Sequence, residues 1–121
     1  MPAQIVADQL EVGQLRQRDV TRGFEDRTVF QRGDRIAILT HLLRNDQPVE
    51  NAMILLIIQE PDGDFVPLQA ISDEYGYAVI RYRIPRRAPT GTYGVRLVDV
   101  VGQNIQLNWE DSVTETSFIV R

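Results

Sequence analysis

The chain has 121 residues, 43% of them apolar and 25% charged, enough for one folded core that requires neither disulfide nor metal. Its net charge of −4 speaks against a general attraction for nucleic acid or anionic membranes. With no cysteine and one histidine, disulfides, thiolate nucleophiles, thiolate metal sites, a thioester and any histidine metal cluster are excluded. Residues 1–23 carry Ile5, Val6, Leu10, Val12 and Leu15 without a clear period. They are read as an N-terminal arm or extra strand preceding a domain over 24–121. The opening Met1-Pro2-Ala3-Gln4 lacks the basic and apolar regions of a signal peptide, no apolar run reaches the length of a membrane span, and no Asn-x-Ser/Thr sequon is present.

Strand signals follow at even spacing. Ile36, Ile38, Thr40 and Leu42 alternate, and Met53 to Ile58 is a continuous apolar run. Pro61-Asp62-Gly63-Asp64 reads as a tight turn, then Phe65 to Ile71 as a short strand that Pro67 places at a sheet edge. After a second turn at Asp73-Glu74-Tyr75-Gly76, Ala78, Ile80, Tyr82 and Ile84 alternate with Val79, Arg81 and Arg83, a half-buried strand with its arginines facing water. Pro85 to Gly91 is a loop. Tyr93, Val95 and Leu97 begin the next inward face, and Phe118 and Val120 close the chain in a last strand. No segment holds a helical period. About seven short strands imply an all-β antiparallel sandwich.

Two strands are apolar on both faces. Ile36, Ile38 and Leu42 oppose Ala37, Leu39 and Leu43; Met53, Leu55 and Ile57 oppose Ile54, Leu56 and Ile58. A sheet with one wet face carries polar residues there. The expectation is that the N-terminal arm or a neighbouring subunit covers an outer face made by Leu39, Leu43, Ile54, Leu56 and Ile58. All 13 basic residues are arginine, which a GC-rich genome explains and which also suits bidentate pairing at interfaces. Arg81, Arg83, Arg86 and Arg87 form a basic cluster, read by default as a solvated face and functionally as a docking patch for an acidic partner.

Other motifs favour structure over chemistry. Arg32-Gly33-Asp34 spells an integrin-type tripeptide but stands where a turn is expected. His41 reads as a hydrogen-bonded structural residue, and Ser72, Ser112 and Ser117 show no sign of activation. Asp62, Asp64, Asp73 and Glu74 would hold calcium only if their turns shared one end of the sandwich. Tyr75, Tyr77 and Trp109 would form a sugar or protein platform only if exposed together.

From Phe30 to Val120 a series of motifs occurs in a shared order: Phe30-Gln31-Arg32-Gly33-Asp34, Pro48-Val49-Glu50-Asn51-Ala52, Glu60-Pro61-Asp62-Gly63, Ser72-Asp73-Glu74-Tyr75-Gly76-Tyr77, Ile84 through Tyr93, and Ser117-Phe118-Ile119-Val120. This order resembles macroglobulin-like domains and related bacterial immunoglobulin-like modules. Arg32 stands where the family carries proline. The resemblance implies an immunoglobulin-like antiparallel sandwich of about seven strands with an extra N-terminal segment. It implies no active site and no cofactor. The function expected is a non-catalytic docking module of a larger assembly, such as a virion capsid decoration or surface-array component. Its partners would be other proteins or its own copies, with no nucleic acid and no membrane insertion, and its setting a virion or an extracellular surface. The alternatives are an excised spacer or adhesion module of a macroglobulin-like or surface protein, and a carbohydrate- or calcium-binding module.

Overall fold

The computed structural model describes residues 1–18 and 20–121, Thr21 by its backbone alone. Its elements are β1 (Ala3–Leu15), a single helical turn α1 (Val20–Gly23), β2 (Phe24–Asp26), β3 (Val29–Phe30), β4 (Arg35–Arg44), β5 (Gln47–Pro48), β6 (Met53–Gln59), β7 (Phe65–Ile71), β8 (Tyr77–Arg83), β9 (Gly91–Val101), β10 (Ile105–Leu107) and β11 (Glu115–Val120). Seven of the strands have six residues or more. They form two sheets. In the first, β10, β1, β4 and β5 run in order, with β2 on β1 and β8 on β4; in the second the order is β3-β11-β9-β6-β7. The sheets face each other across Ile5, Leu10, Val12, Ile36, Ile38 and Leu42 on one side and Ile54, Leu56, Ile58, Tyr93, Val95 and Phe118 on the other. At strand F of such a sandwich a tyrosine hydroxyl often ties back to the chain upstream. Here Tyr93, fully buried, donates from its hydroxyl to the Pro89 carbonyl at 2.6 Å, and its ring stacks on Phe118. The fold is an immunoglobulin-like β-sandwich.

Local chemistry sets the turns. At Pro61-Asp62-Gly63 the Gly63 amide donates to Glu60 O and the Glu60 amide to Asp64 O, while Gly63 takes φ +95°. This is a three-residue hairpin loop ending in a left-handed residue, which glycine adopts without a Cβ clash. Asn45 and Asp46 both have positive φ and join β4 to β5 by a two-residue hairpin. Strand β7 pairs only with β6, so Pro67 does lie on a sheet edge.

Two expectations are corrected here. The first concerns the N-terminal segment, of which Asp19 lies outside the described residues. It does not lie over a sheet face. Residues 3–15 join the first sheet edge-on, hydrogen-bonded along β4 from Val6↔Leu43 to Gly13↔Ala37, and send Ile5, Ala7, Leu10 and Val12 into the core. Backbone pairing, which satisfies two rows of N–H and C=O groups at once, decides that placement. The second concerns β6. Its inward residues are Ile54, Leu56 and Ile58, each at most 1% exposed, and its outward residues are Met53, Leu55 and Ile57. Register selects this parity: Ile54, Leu56 and Ile58 lie opposite Val100, Leu97 and Val95 of β9, all buried. Ile54, Leu56 and Ile58 therefore present no interaction surface.

Candidate anion-binding cleft

The outer face of the first sheet is read from three strands. In the β4–β8 ladder His41 lies opposite Tyr77, Leu39 opposite Val79, Ala37 opposite Arg81 and Arg35 opposite Arg83. On the other flank β1 places Gln9, Glu11 and Gly13 opposite His41, Leu39 and Ala37. The side chains thus change along the strands from an aromatic, polar end to an arginine end. Leu39 is buried among them and Leu43 half-buried, so neither is an open apolar surface. Gly13 is required for space: a Cβ there would collide with the Glu25 carbonyl oxygen, in the β2 segment that folds back on β1.

At the arginine end a cleft of about 760 Å³ opens. Six arginines line it: Arg35 from β4, Arg81 and Arg83 from β8, Arg16 and Arg18 from the segment after β1, and Arg27 from the β2–β3 connection. Two of them are neutralised internally. Arg16 Nε meets Glu25 Oε2 at 2.7 Å. Arg27 meets Asp34 Oδ2 at 3.3 Å, also donates to Gln14 Oε1 and Val29 O, and lies over the Phe30 ring, so it is a structural staple. Arg18, Arg35, Arg81 and Arg83 are exposed and pair with no carboxylate among the described residues. Like charges directly opposite one another on neighbouring strands destabilise a sheet, and guanidinium cannot shed its charge in a protein. An anion seated between Arg35 and Arg83 removes that repulsion and receives planar, bidentate donors.

Sequence reasoning singled out Arg81 and Arg83, and the structure brings them together with Arg35. Arg86 and Arg87 are exposed in the β8–β9 loop and do not line the cleft. Arg35, Arg16 and Arg18 were missed. The one local sign was Arg35 at the head of an alternating run, and its pairing with Arg83 is a matter of register.

The remaining candidates resolve into structural roles. Asp34 of Arg32-Gly33-Asp34 accepts from the Gln31 amide at 2.8 Å and pairs with Arg27, so its carboxylate is held inside the turn. His41 contacts Asp8 Oδ1 through Nδ1 at 2.8 Å and Tyr75 O through Nε2 at 2.9 Å, and its ring packs on Tyr77. Asp8 reaches it because a β-bulge between Ala7 and Gln9 sets Asp8 out of register. The Ser112 and Ser72 hydroxyls donate to Asn108 O and Val49 O. The four turn carboxylates do not converge: Asp62 and Asp64 precede β7 and Asp73 and Glu74 follow it, so the two turns lie at opposite ends of one strand. Glu60 joins Asp62 and Asp64 instead, their carboxylate oxygens within 4.8 Å of one another. Burial, then Asp62 and Asp64, raise the Glu60 pKa above its ordinary value. Trp109 and Tyr75 are both exposed; Trp109 follows β10 at one edge of the first sheet and Tyr75 precedes β8 at the other.

No protein-family model and no curated protein matches the chain. Among solved structures it is similar to the alkylpurine DNA glycosylase AlkC of Pseudomonas fluorescens, determined bound to DNA containing an abasic-site analogue. The identity is 14% and the TM-score 0.60, over 98% of this chain and 31% of the glycosylase chain. It is also similar to an immunoglobulin-like protein from Pseudomonas aeruginosa, with 18% identity and a TM-score of 0.52 over 99% of this chain and 98% of the other. The chain therefore spans about a third of the glycosylase and nearly all of the immunoglobulin-like protein. At these identities the likeness is one of fold.

Proposed function

We propose that the chain is a non-catalytic recognition module that docks onto an acidic protein surface through the arginine cleft. The observation that carries this reading is the set of four arginines in one cleft, Arg18, Arg35, Arg81 and Arg83, without an ion pair among the described residues, in a chain of net charge −4. Its histidine and the serines at 72 and 112 are committed to hydrogen bonds that hold strands and turns together. A capsid decoration or surface-array component is one setting for such a module. A macroglobulin-like spacer, the setting that the order of turns over 30–120 favours, is another. A second reading, that the cleft takes a nucleic-acid backbone, is favoured by the similarity to a larger glycosylase bound to DNA. Titration of the wild type and of Arg35→Glu/Arg83→Glu with polyglutamate and with a duplex oligonucleotide tests both. The expected result is polyglutamate binding that weakens with salt and falls at least about tenfold in the variant. Tighter, arginine-dependent binding of the duplex would replace the first reading by the second, and binding of neither would end both.

A further inference from the structure

The cleft has a counterpart on the same molecule. Strand β4 runs ten residues from Arg35 in the cleft to Arg44, a span of about 30 Å at about 3.3 Å per residue. Around Arg44 lie Asp46 in the β4–β5 hairpin, Glu50 in the loop after β5, and Asp73 and Glu74 in the turn between β7 and β8. Hydrogen bonds join these segments into one end: Leu42 N donates to Gly76 O, Asn51 N to Ser72 O, and Ser72 Oγ to Val49 O. All four carboxylates belong to exposed residues, against one arginine. Asp73 spends an oxygen on the amides of Tyr75 and Tyr77; Asp46, Glu50 and Glu74 have no such internal partner among the described residues. The acidic groups stand on turns at this end, where Arg44 and Glu50 line a second cleft, and the unpaired arginines line the first cleft at the other end of the same strands. The polarity belongs to the first sheet, since the second sheet carries the Glu60-Asp62-Asp64 turn at the cleft end.

We infer that the acidic end of one copy docks into the arginine cleft of the next, so that the cleft's partner is a second copy of this chain and the contact is head to tail. This rests on the cleft being a docking surface for acidic protein groups, as proposed above. The charges match, four arginines without ion pairs among the described residues facing four carboxylates and one arginine. Because the two surfaces differ, the contact does not close on itself as a two-fold dimer does. It propagates into rings or open filaments.

Sedimentation of the full chain at rising concentration tests this, at about 20 mM and about 500 mM salt. At low salt the average mass is expected to climb beyond about twice that of the monomer, and at high salt to return to 13.8 kDa. Arg35→Glu/Arg83→Glu and Glu50→Arg/Glu74→Arg should each stay monomeric, since each sets like charges against like. Their equimolar mixture should assemble again, because each end of one variant then complements an end of the other. Circular dichroism of each variant checks that the sandwich is intact. A wild type that stays monomeric at low salt, association indifferent to salt and to both charge reversals, or a mixture that fails to assemble would overturn the inference. Monomeric wild type that still binds polyglutamate through Arg35 and Arg83 would remove self-docking and leave the functional reading standing; loss of both would remove both.

Discussion

Two like-charged clusters sit at the same end of the sandwich and answer crowding differently. In the second sheet Glu60, Asp62 and Asp64 gather around the β6–β7 turn, and in the first Arg35, Arg81 and Arg83 share a ladder. The carboxylates relieve themselves in part by titration: burial and the neighbouring aspartates hold the Glu60 pKa up, so it takes a proton sooner as pH falls. Asp62 also accepts from the Asp64 amide, so part of that cluster is turn chemistry. The arginines have neither outlet. Their charge is permanent and none of them pairs with a carboxylate among the described residues, so on the reading proposed above their relief comes from a docked partner. The acidic turn is partly satisfied within the chain, whereas the arginine rung has no carboxylate partner among the described residues.

The comparison holds only if both clusters ride on one rigid core, and the test with the largest effect checks that. Ile54→Ala removes a fully buried side chain and should destabilise by about 2–5 kcal/mol, while Leu55→Ala, one residue on and facing outward, should cost less than about 1.5 kcal/mol. Urea unfolding of the pair reads the parity of β6 directly; equal losses would refute it. Next comes the corner that holds the second sheet. Tyr93→Phe leaves the Pro89 carbonyl without its donor and should cost about 1–2 kcal/mol. Burial first, then Glu60, Tyr82 and Asp62, against a small opposing effect of Arg32, push the Tyr93 pKa from its ordinary 10.0 up to about 12. A raised acid favours its neutral form in the fold. The stability is thus fully present below pH 10 and lost as pH rises toward about 12. Alkaline unfolding curves should show this fall in the wild type and lack it in Tyr93→Phe. The smallest effect sharpens the contrast between the clusters. Glu60→Gln should stabilise by a few tenths of a kcal/mol at neutral pH, roughly the scale of an exposed charge pair. By the same sign rule, the Glu60 contribution is fully present below pH 4.5 and is lost as pH rises through its raised pKa, so the substitution should flatten that dependence in acid titration.

The strands after residue 30 were legible because alternation there is regular. The runs at 36–42, 65–71 and 77–83 became β4, β7 and β8, and Tyr93, Val95, Leu97, Phe118 and Val120 all point inward as read. Strand β1 was illegible for a local reason: the bulge at Asp8 shifts its inward residues from Ile5 and Ala7 to Leu10 and Val12, so no single period of two spans it.

Alternation, turn chemistry and composition by themselves determined an all-β sandwich, its turns and most of its core, because these depend on spacings of a few residues. Tertiary structure alone decided which face of β6 is buried, whether the first 15 residues cover a sheet or extend it, and that Arg35 meets Arg83 nearly fifty residues away. A strand apolar on both sides carries no record of which side faces in, and register between strands is set by packing against partners distant in the chain.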